Sequence, residues 1–196
     1  MGFFVSSWAG RIILLVGGVI VLGVAFSGTI FGLAITGGPG DCRPGGGPIV
    51  VSDALSDAFQ QKWDEFDATL DAGSPAAVTF DESEITSRAV TWIEEEEGPD
   101  FEDIRVCVHD GYGEATGKLD GPGFVNVRFK LTGTVTLTGS HPVAEITDVD
   151  IGNIPDPLLA PFENLADEDA LEQIDLDGHS YTVILTEGTV TIEGRP

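Results

Sequence analysis

From Val125 to Thr138 the chain alternates apolar and polar side chains. Val125, Val127, Phe129, Leu131, Val135 and Leu137 take the odd positions, and Asn126, Arg128, Lys130, Thr132, Thr134, Thr136 and Thr138 take the even ones; only Gly133 interrupts the odd series. A period of two puts every second side chain on the same face of a strand, so this ribbon has one oily side and one polar side. At about 3.3 Å per residue it would reach roughly 45 Å, well past the usual strand of about five or six residues. Strands of that length twist and do not stay flat. Gly133, near the middle, predicts a bend or bulge that curls the sheet with its apolar face concave.

The flanking segments supply partners for the ribbon. Ile104, Val106 and Val108 alternate with Arg105, Cys107 and His109, and Asp110-Gly111 turns the chain into a strand near Glu114 to Leu119. A further strand is expected at about Val143 to Ile151, and two short ones, Tyr181 to Leu185 and Thr189 to Ile192, meet at Glu187-Gly188. Helices precede these strands. Leu55, Phe59, Trp63, Phe66 and Leu70 form one stripe of a helix over residues 53 to 71, capped by Ser52 or Asp53 and stopped by Gly73 and Pro75. A second helix opens on a capping box of Asp81 with Glu84 and a staple from Phe80 to Ile85. It turns Ile85, Ala89, Trp92 and Ile93 inward and runs into four consecutive glutamates, Glu94 to Glu97, before Gly98-Pro99. Pro155 and Pro157 open a third helix, with Leu158, Leu159, Phe162 and Leu165 on one side. The expected fold class is α+β: an N-terminal single transmembrane helix, then a long, curved antiparallel sheet packed against helices.

The transmembrane helix is read from Ile12 to Thr36, a run of 25 residues without a charge. Such a helix is roughly 37 Å long, enough to cross a hydrocarbon core of about 30 Å. Arg11 is the only charge before it and nearly all the acid follows, which puts the N-terminus inside and the C-terminal domain outside. A cleaved signal peptide is the alternative; the length of the run and the lack of an A-x-A site argue against it. The resulting division is a short cytoplasmic N-terminus over 1–11, the span over 12–36, a Gly/Pro linker over 37–48 and an acidic extracytoplasmic domain over 49–196. Gly28-x-x-x-Gly32 would let the span approach another helix, its own copy's or a membrane protein partner's, although glycine is also common in spans that do neither. Cys42, in the linker, reads as an incidental thiol, with intermolecular pairing or lipidation as alternatives.

Acidic residues number 33 against 9 basic ones, a net charge of −24. That excludes nucleic acid as a partner, since phosphate contacts need clustered Lys and Arg. It suits a high-salt or wall-associated setting, where screening relieves self-repulsion. No hydrolase elbow, P-loop, dinucleotide fingerprint or HExxH motif is present, so neither catalysis nor a cofactor is expected. Cys107 and His109 share a sheet face but lack a second such pair for zinc. Asp148 with Asp150, and Asp175 with Asp177, resemble fragments of calcium loops without the spacing of an EF-hand. No metal is expected.

Three stretches carry a family resemblance. Val78-Thr79-Phe80-Asp81-Glu82-Ser83-Glu84-Ile85-Thr86-Ser87, Ile151-Gly152-Asn153-Ile154-Pro155-Asp156-Pro157-Leu158 and Glu187-Gly188-Thr189-Val190-Thr191-Ile192-Glu193-Gly194 resemble a strand-to-helix opening, a Gly-x-(Leu/Ile)-Pro segment and a closing hairpin strand. These are features of the YpmS-like and LmeA-like single-pass bacterial envelope proteins, whose outer domain is related to tubular lipid-binding folds. The resemblance implies an apolar groove for a lipid or another hydrophobic ligand. Val125, Val127, Phe129, Leu131, Val135 and Leu137 would line it, unless they form plain core beneath the helices. The expected function is therefore non-catalytic ligand binding at the cell membrane, with the bilayer and a lipid ligand as partners. A structural or accessory subunit of a membrane assembly is the alternative, and a cation-dependent adhesion or surface-layer component is a third reading.

Overall fold

The long ribbon forms as a single strand, β4 (Val125–Thr138), in a four-stranded antiparallel sheet with β2 (Phe101–His109), β3 (Tyr112–Gly121) and β5 (His141–Ile151), in the order β2-β3-β4-β5. The computed structural model describes residues 38–95, 101–121, 125–138, 141–152 and 179–196. The register between β4 and β5 shifts between Thr132 and Gly133, so the irregularity expected at Gly133 is present. A second shift, between Glu102 and Arg105 in β2, puts Asp103 at a positive φ of 53°, where non-glycine residues are uncommon.

The remaining strands form a second sheet. The closing hairpin, β6 (Ser180–Thr186) with β7 (Thr189–Arg195), does not extend the long sheet; it pairs with β1 (Ala76–Asp81) in a separate three-stranded sheet of order β1-β7-β6. The reason lies in Ala76 to Asp81, which pairs residue by residue with Gly194 back to Thr189. Its alternation of half-buried or buried residues with exposed ones is that of an ordinary strand, although it lies between two helices. The fold is thus α+β with two antiparallel sheets.

Each sheet has its own apolar cluster. Helix α1 (Asp53–Asp71) starts where the Ser52 hydroxyl accepts from the Leu55 N–H at 3.3 Å, and ends before Gly73, at φ 78°. Its stripe buries Phe59, Trp63, Phe66 and Leu70 against Val78, Phe80, Tyr181 and Ile192 of the three-stranded sheet. The Phe59 and Phe80 rings stack with centroids 4.0 Å apart. Helix α2 (Glu82–Glu95) begins with the expected capping box: the Glu84 N–H donates to the Asp81 carboxylate at 2.8 Å, and the Asp81 N–H donates to the Glu84 carboxylate at 3.1 Å. Trp92 joins the first cluster, while Val90 and Ile93 pack on the second, formed by Ile104, Ala115 and Phe129 of the four-stranded sheet.

The expected third helix, the run 12–36 with Gly28 and Gly32, and Asp175 with Asp177 lie outside the described residues. Among the described residues no helix is long and apolar enough to cross a membrane.

Phe80 is 1% exposed at the centre of the first cluster. Phe80→Ala should destabilise the fold by about 3–5 kcal/mol, because a ring-sized cavity adds to the lost transfer energy. Urea unfolding followed by tryptophan fluorescence checks this.

Candidate functional site

The apolar face of β4 is partly filled and partly open. Val127 and Phe129 are buried, whereas Leu131 and Val135 are half-buried. Val125 and Leu137 belong to the same strand, and their side chains lie outside what is described. Phe129 sits opposite Gly117 of β3 and meets Phe101 edge-on, with centroids 5.7 Å apart. A Cβ at Gly117 would come within 2.6 Å of Ile104 Cδ1 and 2.8 Å of Phe129 Cζ, so only glycine leaves room for that ring. The middle of the face is therefore packed core.

The opening lies at its edge. A pocket of about 420 Å³ is bounded by Val90, Ile93 and Glu94 of α2 and by Phe101, Glu102, Asp103 and Ile104 of β2. It lies between the last turns of α2 and the irregular start of β2. Its base is apolar and continuous with the second cluster; its rim carries three carboxylates. Asp103 is ion-paired to Lys118, whose hydrogen bond and charge hold the Asp103 carboxyl below the usual aspartate range. Glu94 and Glu102 are exposed and have no ion-pair partner among the described residues. Of the residues around this pocket, sequence turned only Ile93 inward and placed Ile104 in an alternating apolar series.

The polar face of the same sheet is not left to solvent. Residues 38–48, expected to be a loose linker, lie across it as a strap. Cys42 and Cys107 form a disulfide across 65 residues, with Cα atoms 6.0 Å apart. That corrects the reading of Cys42 as a spare thiol and removes Cys107 as a thiolate ligand. Asp41 reaches Arg105 at 3.8 Å and Arg128 at 3.6 Å. The Gly45 and Gly46 N–H groups donate to the two oxygens of Glu82, each at 2.9 Å, and the Val108 N–H donates to the same carboxylate at 2.8 Å. Farther along, the Val50 N–H donates to Ser83 Oγ and the Ser52 N–H to Ser87 Oγ, both at 3.1 Å.

The turns of the two sheets meet beside the strap. Gly188, at φ 80°, donates its N–H to the Val108 carbonyl at 2.9 Å, and Gly111 donates to the Leu185 carbonyl at 3.1 Å. His109 lies between Glu187, 3.2 Å from Nδ1, and Glu114, 3.6 Å from Nε2, and stacks on Tyr112. Lys130 Nζ holds Glu114 at 2.6 Å. This cluster ties two hairpins together. Among the described residues no group of three or more His, Cys, Asp or Glu converges to hold a metal ion.

Sequence reasoning missed the disulfide and the anchoring role of Glu82. Two cysteines in a domain expected outside the cytoplasm are a signal for pairing. Glu82 gave none, because a glutamate in the first turn of a helix is ordinary. Comparison of the chain with family models, curated proteins and solved structures gives no match.

Replacing both Cys42 and Cys107 by Ser should cost about 4 kcal/mol, the loop-closure entropy returned to the unfolded chain. Equilibrium unfolding of the oxidised protein and the double variant measures this difference. A second expectation concerns pH. Asp103 has a lowered folded-state pKa, so its contribution to stability is present above the unfolded value and is lost as pH falls through the folded one. Its exposed position keeps the effect small. Carboxyl NMR should place the Asp103 midpoint below that of an ordinary aspartate, and Lys118→Met should move it up.

Proposed function

We propose that this chain is a membrane-anchored extracytoplasmic domain that binds a lipid or another hydrophobic ligand without catalysing a reaction. In this reading residues 12–36 cross the membrane, and the four-stranded sheet curls at its Thr132–Gly133 irregularity. The observation that carries the binding proposal is the pocket between α2 and β2, about 420 Å³ in volume and floored by Val90, Ile93, Phe101 and Ile104. Ligand pockets commonly have volumes of about 300–1,000 Å³, apolar walls and a few polar groups that set orientation. Burying apolar ligand surface there would contribute about 25 cal/mol per Å².

The location has separate support. Stable disulfides belong mainly to oxidising compartments, and Cys42 follows the uncharged run by only a few residues. The clamp would hold the sheet close to the point where the chain leaves the bilayer. This location agrees with what the resemblance to YpmS-like and LmeA-like envelope proteins implies.

Photolabelling tests the proposal. The full chain, reconstituted in bilayers containing a phospholipid with a diazirine in its acyl chain, should yield crosslinked peptides from Val90–Glu94 and Phe101–Ile104. Ile93→Trp, which fills the pocket, should remove those crosslinks. Labelling confined to residues 12–36 would contradict the binding proposal.

A further inference from the structure

His109 stands where the two sheets meet. It ends β2, with Nδ1 3.2 Å from a carboxylate oxygen of Glu187 in the β6–β7 turn and Nε2 3.6 Å from Glu114 of β3. The His109 and Glu114 side chains are 13% and 12% exposed, whereas that of Glu187 is 55% exposed. A neutral imidazole has a single N–H, so with a carboxylate at each nitrogen one of them faces a ring lone pair. The imidazolium turns an N–H toward both. We propose that His109 makes this junction an acid-strengthened clasp: protonation tightens the β2–β3 turn against the β6–β7 turn, and loss of the proton loosens it. The proposal does not rest on ligand binding.

The proton also improves the balance of charge at the junction. With His109 neutral, Glu114, Glu187 and Asp110 meet one ammonium, that of Lys130, which lies 2.6 Å from Glu114. Asp110 belongs to the cluster because its carboxylate accepts the Glu187 N–H at 3.0 Å. Tyr112 stacks its ring on the imidazole, and the strap brings Gly45 against Glu187 without a charge. Glu82, bonded to the Val108 N–H one residue away, adds a further negative charge. An imidazole changes charge between about pH 5 and 8, where an ordinary glutamate stays ionised. Only in the closed junction does the ring meet both carboxylates. By linkage, the clasp holds most firmly at the acid end of that range and weakens as pH rises through it.

Two backbone bonds join the same turns, from the Gly188 N–H to the Val108 carbonyl and from the Gly111 N–H to the Leu185 carbonyl, and exchange of these amides reports opening of the clasp. Hydrogen exchange is followed by NMR on the full chain in nanodiscs of zwitterionic lipid at pH 5.5 and 7.5, with rates corrected for the intrinsic pH dependence of exchange. Protection of Gly111 and Gly188 should be about three- to tenfold greater at pH 5.5, the scale of two modest ion pairs. His109→Gln should make protection equal at the two pH values. Glu187→Gln, altered at an exposed side chain, should lower the ratio. Equal protection in the unaltered chain, a dependence that survives in His109→Gln, or a ratio unchanged in Glu187→Gln would overturn the inference. The unaltered chain and Glu187→Gln decide the question even where His109→Gln fails to fold.

Discussion

The covalent bond between Cys42 and Cys107 decides where the first part of the domain can lie. It draws residues 38–48 across the polar face of the four-stranded sheet, and the carboxylate of Glu82 completes the attachment. Glu82 is 2% exposed. A carboxylate buried to that degree is costly unless hydrogen bonds replace its water. Three backbone N–H groups do so, two from the strap and one from β2, and hydrogen bonds to a charged group contribute about 1.5–3 kcal/mol each. The outer edge of β2 benefits as well. Its Val106 N–H donates to Thr86 Oγ1 at 3.0 Å and its Val108 N–H to Glu82, so helix side chains satisfy groups that an open strand edge would expose.

Helix α2 links the two halves of the molecule because its ends differ in chemistry. The first half presents Glu82, Ser83, Thr86 and Ser87, which hold the strap and the β2 edge. In the second half Trp92 reaches the cluster under α1, and Val90 and Ile93 reach the cluster on the four-stranded sheet. The pocket is a consequence of this division. The polar half hydrogen-bonds the edge of β2, and beyond it the pocket lies beside the irregularity at Asp103. Four apolar residues and three carboxylates line it.

Local structure was legible where the signal was local. The stripe from Phe59 to Leu70, the Asp81–Glu84 capping box and the β4 ribbon with its irregularity at Gly133 all appear as their spacing implies. The partition into two sheets was less legible, since β1 is a short segment whose pairing with β7 joins residues more than a hundred positions apart. The disulfide was hidden for the same reason: proximity of Cys42 to Cys107 depends on how the sheet faces are covered, and Gly/Pro-rich composition alone reads as loose chain. For the candidate site, alternation identified the apolar face of β4 without locating the opening. Phe129 fills the middle of that face, and the pocket lies at its edge, beside a backbone irregularity that no residue pattern announced.

Peptide mapping of the full chain, isolated from membranes and digested without reduction after thiol blocking, tests the clamp most directly. The account predicts one linked peptide pair containing Cys42 and Cys107, separating into its two members on reduction, with neither cysteine carrying the blocking group. Recovery of both residues as blocked thiols, or of Cys42 joined to another molecule, would contradict the account. The strap would then have no covalent hold on the sheet.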